Sequence, residues 1–100
     1  VLYLKTTKAK ATGRRTSDGF VVFKGSAVSA KPTKSCPDTI QHLREQYAER
    51  VNSDNVLIED TLFSSPSAAA GFITFASANG LIMWATQDGK TLREVENEDE

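Results

Sequence analysis

The sequence predicts a single α+β domain: a largely antiparallel sheet of about five or six strands with two helices, near residues 37–51 and 66–78. Three observations predict it. Short β-branched and aromatic runs are separated by turn signals, Asp18-Gly19 and Asp88-Gly89 among them. Two longer stretches repeat their apolar residues at helical spacing instead. One hundred residues, 39% of them hydrophobic, suffice for one core and leave no room for a second.

Leu2-Tyr3-Leu4 and Ala9 to Thr12 read as short strands, because apolar and small residues alternate with Lys and Thr. Thr16-Ser17-Asp18-Gly19 is a hairpin turn leading into Phe20-Val21-Val22-Phe23. Gly25 to Lys34 is small, polar and aperiodic, a loop long enough to move. Ser35, three positions before Asp38, resembles a capping box, and Ile40, Leu43, Tyr47 and Val51 follow on one stripe of the first helix. Asn52 to Asn55 stops it, and one strand, with room for a bulge, is expected over 56–63.

Ser65-Pro66 opens the second helix, with Ser65 as cap and Pro66 where its missing N–H costs nothing. Ala69, Phe72, Ile73 and Ala76 share a face, and Asn79-Gly80 is expected to end the helix in left-handed geometry. Leu81 to Ala85 is then a strand, Asp88-Gly89 a hairpin turn and Thr91 to Val95 the returning strand. The domain is expected to cover residues 1–95, with 96–100 a disordered acidic tail. The start at Val1 and the acidic end are what a piece of a longer protein would show.

The apolar runs are far below the roughly 20 residues that cross a bilayer. With a single cysteine, Cys36, no intramolecular disulfide is available and the cytoplasm is the expected compartment. Net charge is only −1, yet residues 1–34 hold eight Lys or Arg against one acid, and residues 35–100 hold four against twelve. Such a split suggests an anionic partner for one face, and a solvated surface accounts for it equally.

Chemistry is hard to assemble. Cys36 and His42, the only histidine, are six positions apart, about 600° of helical rotation and so on opposite faces. Two such ligands are too few for structural zinc. Asp38 and Asp88-Gly89-Lys90 mimic nuclease metal-site elements, but Asp38 begins a helix and Asp88-Gly89 makes a turn. Neither a nucleophile elbow nor a phosphate-binding glycine loop is present. No enzyme, cofactor or metal is expected.

Asp18 to Ser26, the block Phe63-Ser64-Ser65-Pro66-Ser67-Ala68-Ala69-Ala70, Ala78-Asn79-Gly80 to Trp84, and Asp88 to Leu92 together resemble domain of unknown function 4357. The resemblance covers nearly the whole chain in order. It implies the C-terminal module of bacterial proteins with a GIY-YIG nuclease-like domain or links to restriction and modification. Over a shorter stretch the Ser-Pro-Ser-Ala-Ala block is also similar to the restriction enzyme and adenine methylase associated domain, a proposed reader of modified DNA. Relatives carry a further Trp and Lys after Asn-Gly, where this chain has Leu81-Ile82-Met83-Trp84-Ala85, so a borrowed stacking pocket does not follow.

The candidate nucleic-acid contacts are therefore Lys8, Lys10, Arg14, Arg15 and Lys24 on a basic hairpin that also holds Lys5, Ser64, Ser65 and Ser67 at a helix N-terminus, and Asn79 and Trp84. Period two is expected to put Lys8 and Lys10 on one side. Each has a plainer reading: capping for Ser65, core for Trp84, edge protection for the lysines. The expected function is a non-catalytic accessory module that helps a linked or partner nuclease engage DNA. The alternative is a protein-interaction or structural domain packed on the remainder of its parent chain.

Overall fold

The computed structural model describes residues 1–98, so the last two residues of the expected tail, 99 and 100, lie outside it. Strands β1 (Leu2–Lys5), β2 (Lys10–Thr16), β3 (Gly19–Val22) and β4 (Thr61–Phe63) form one antiparallel sheet in that order. Helices α1 (Asp38–Gln46), α2 (Pro66–Thr74), α3 (Gly80–Met83) and α4 (Leu92–Glu98) complete the described chain, with a 3-10 turn at Ala48–Arg50. No helix among the described residues is long and apolar enough to cross a membrane.

The α+β class and the hairpin at Ser17-Asp18 follow the sequence reading, with Thr16 paired to Gly19. The strand and helix counts do not. Leu81 to Ala85 is not a strand, because the Asn79 side chain accepts from Leu81 N and starts α3. Thr91 to Val95 is not a strand either. Thr91 accepts from Glu94 N and its hydroxyl meets the Glu94 carboxylate, a capping pair that turns the chain into α4. Residues 96–98, expected in the tail, continue that helix. What remains of the two strands is one bridge each: Ala85 pairs with Tyr3 and with Thr91 around the 86–90 turn.

The stretch 56–63 is strand only at its end, and Val56 and Leu57 pair singly with Ala27 and Val51. The first helix is shorter than expected and Ser35 does not cap it; Pro37 holds the cap position without a side-chain bond. The second ends at Phe75, whose φ of 57° puts it in the left-handed region, rather than at Asn79-Gly80. The loop after Gly25 is tied down: Ala27 bridges Lys10, Ser29 N donates to Ile73 O, and Thr33 N donates to Phe75 O.

Alternation divides the sheet. Leu2, Leu4, Ala11, Phe20, Val22, Thr61 and Phe63 point inward and are buried, whereas Tyr3, Lys5, Lys10, Thr12, Arg14, Val21 and Leu62 point outward. The helices cover the inner face, with α2 against the strands and α1 outside α2. Within α2, Ala69, Ala70, Gly71, Phe72 and Ile73 are all buried. Two glycines set the spacing. A Cβ at Gly71 would overlap the Ile40 side chain of α1, and one at Gly80 would overlap the Pro66 carbonyl and Ser67 N.

Because the atoms opposing Gly80 are backbone, Gly80→Ala forces α3 away from α2. Urea denaturation should show a loss of about 1–3 kcal/mol, the usual cost of overpacking. Unchanged stability would mean the α2–α3 junction tolerates a shift.

Candidate functional site

The outward sheet face is where sequence-flagged cations meet. In the β1–β2 register Lys5 lies directly opposite Lys10, and Tyr3 opposite Thr12. Arg14 lies opposite Val21, which lies opposite Leu62. Lys5, Lys10 and Arg14 are exposed, and among the described residues no ion pair engages any of them. Directly opposed like charges are unfavourable in a ladder, so the Lys5–Lys10 pair raises a positive potential that an anion would relieve.

The other flagged cations are placed differently. Lys8 is in the β1–β2 turn, not on a strand, so period two does not align it with Lys10. It lines a depression with Lys31, Asp54 and Asn55. Arg15 faces α4 and pairs with Glu96 at 2.6 Å. Lys24 is exposed beyond β3, where its backbone N–H donates to the Asp60 carboxylate at 2.9 Å.

The serines and Asn79 are mostly engaged in holding the chain. The Ser65 hydroxyl accepts from Ala68 N, the Ser67 hydroxyl accepts from Gly80 N, and Asn79 caps α3. Only Ser64 is exposed without such a bond among the described residues. With α3 set against its first turn, one side of the α2 N-terminus is covered by Gly80. Trp84 is fully buried. Its Nε1 donates to Pro66 O at 3.0 Å and its ring lies 4.4 Å from that of Phe20, so it is a core residue and offers no face to a base.

A groove of about 520 Å³ between α1 and α2 has Ile40, Leu43 and Ala68 among its apolar walls, and His42, Ser64 and Ser67 on its rim. Cys36 is buried and free. Among the described residues no group of three or more His, Cys, Asp or Glu side chains converges as metal ligands would.

Arg44 was not flagged by the sequence reading, although its position four residues after Ile40 puts it on the helix face that turns inward. Its Nε donates to Phe72 O at 2.7 Å and its Nη2 to Ser29 O. The guanidinium stacks 4.1 Å from the Phe75 ring centre and 5.0 Å from that of Phe72. Burial lowers its pKa from the ordinary guanidinium value to about 10. It remains charged at neutral pH, where that charge costs stability, and the cost lessens only as pH rises above about 10. The two carbonyl contacts and the stacked rings offset it.

A family model described as Domain of unknown function (DUF4357) matches residues 2–96, in accord with the resemblance read from the sequence. No curated protein and no solved structure matches the chain.

Arg44→Lys keeps the charge but loses the planar fork and the stacking. Thermal and urea unfolding should both report destabilisation, by about 1–3 kcal/mol, because buried carbonyls lose donors. Wild-type stability would show that water or lysine replaces the fork.

Proposed function

The chain belongs to the DUF4357 family, and from that footing we propose that it is a non-catalytic accessory module that engages DNA for a linked or partner nuclease. The observation carrying this reading is the open sheet face on which Lys5, Lys10 and Arg14 stand with no acid paired to them. Edge protection explains them poorly. Lys10 and Arg14 lie on β2, an interior strand, and the free edge of β1 is bridged by Ala85 at Tyr3. Flexible cations on an exposed face bind phosphates without reading sequence, which is what an accessory module requires.

The nuclease link rests on the context that the family resemblance implies. The α2 N-terminus drops out of the proposed interface because Ser65 accepts from Ala68 N and Ser67 accepts from Gly80 N within the fold. One observation favours a second reading, a domain packed on the remainder of its parent: Ile58 and Leu62 are about half exposed near the β4 edge, at 51% and 45%.

Fluorescence anisotropy with labelled DNA at two salt concentrations tests the first reading. Charge reversal at Lys10 or Arg14 should weaken binding, and each phosphate contact removed should reduce the salt slope by about 1. Arg15→Ala should change it less, since Arg15 is already paired with Glu96. No binding at low salt and tens of micromolar protein would move the reading to the packing surface around Leu62.

A further inference from the structure

Of the eight aromatic residues, six are held within the fold. Phe20 and Trp84 stack on each other, Tyr47, Phe63 and Phe72 form a cluster, and Phe75 carries Arg44. Tyr3 and Phe23 are the two outside these contacts. Tyr3 is on the outward face of β1, 41% exposed. Its neighbours across the sheet are small, Thr12 on one side and Ala85 on the other, which leaves its ring partly exposed. Phe23 continues the outward alternation of β3, is half-buried, and donates its N–H to Thr12 O, so both aromatics flank the same residue of β2.

Each ring lines a shallow depression. The one at Tyr3 is about 250 Å³ and includes Thr86 and Gln87. The one at Phe23 is about 440 Å³, includes Arg14 and, again, Thr86, and runs round the sheet end to Leu2, Leu92 and Val95 beside α4. The two meet at Thr86. Arg14 stands beside Phe23, and Lys5 and Lys10 stand two register pairs along from Tyr3 and Thr12, on the same face of the sheet.

Building on the DNA reading above, we propose that this face takes single-stranded rather than duplex DNA, with Tyr3 as a base-stacking surface and Lys5, Lys10 and Arg14 on the phosphates. A duplex hides its base faces in the stack and presents only edges and backbone, so exposed rings on a strand face have nothing to stack against. Its major groove, about 12 Å wide, admits a helix or a two-stranded ribbon, whereas this face is the broad side of a four-stranded sheet. A single strand offers base faces and backbone together, which matches aromatics interleaved with cations.

The test is anisotropy of a labelled oligothymidylate and of a labelled duplex of the same length, titrated with the wild-type chain and with Tyr3→Ala, Tyr3→Leu, Tyr3→Phe and Lys10→Glu. The expected result is preference for the single strand, lost by roughly 5- to 150-fold in Tyr3→Ala, the range of one stacked base. Tyr3→Phe should retain it. Tyr3→Leu keeps the apolar bulk without the ring face and should behave as Tyr3→Ala does, and emission from buried Trp84 verifies the fold of each variant. Duplex binding that matches or exceeds single-strand binding, still weakened by Lys10→Glu, would overturn this inference and leave the DNA reading standing. So would single-strand affinity indifferent to Tyr3→Ala. Binding of neither probe would overturn both.

Discussion

Enclosure of α2 is the constraint on which the other elements depend. A helix whose middle is Ala69-Ala70-Gly71-Phe72-Ile73, buried throughout, stabilises the fold only if the polar groups at its ends find partners inside the protein. The rest of the chain supplies them. Ser65 caps the N-terminal turn, and the Trp84 indole donates to Pro66 O. At the other end Phe75 N and Ala76 N return to Gly71 O, Arg44 reaches Phe72 O, and Ser29 N reaches Ile73 O. Partners from the 27–35 loop, α1 and the segment after α3 thus converge on one nine-residue helix. The long loop is ordered because it carries one of them.

That enclosure also leaves one sheet face uncovered. The helices stack on the inner side, α2 on the sheet and α1 on α2, so the outer face of β1–β3 stays open. The same demand removes the more suggestive sequence candidates from the surface. Trp84, Ser65, Ser67 and Asn79 form the hydrogen-bonded junction of α2 and α3, where Gly80 meets Pro66 without room for a side chain. Residues of a distinctive motif here hold a helix end, while residues of unremarkable type, Tyr3 and Lys5, share the open face.

What could be read from the sequence follows from which signals are local. The Ser65-Pro66 start of α2 and the hairpin at residues 16–19 are set by neighbouring residues and were legible. Thr91-Leu92-Arg93-Glu94 was legible in principle, since Thr-x-x-Glu is a capping signal, but the alternation over 91–95 suggested a strand. Leu81 to Ala85 has strand-like composition, and the Asn79 cap with the tight Gly80–Pro66 approach outweighs it; that approach depends on residues fourteen apart in sequence. The early end of α2 at Phe75 was not legible, because a phenylalanine in left-handed geometry is stabilised by Arg44, which lies on another helix. On the open face, the alternation of Lys10 and Arg14 was readable, whereas the opposition of Lys5 to Lys10 requires the strand register.

The charge asymmetry of the sequence then has a spatial meaning. The basic first third forms β1 to β3 and the loop beyond, while the acids lie mainly on α1, the 50s loop and α4. If attraction between these halves held the fold, cations and acids would be interlocked, and they are not. Arg15–Glu96 joins them across the sequence, and both side chains are 40–50% exposed, where such pairs contribute about 0–1 kcal/mol. The half-buried Arg44 is held by carbonyls and aromatic rings. Apolar packing and helix-end hydrogen bonds therefore carry the stability. Lys5, Lys10 and Arg14 are left out of it, and a face whose charges the fold does not use is free to keep them for an anion.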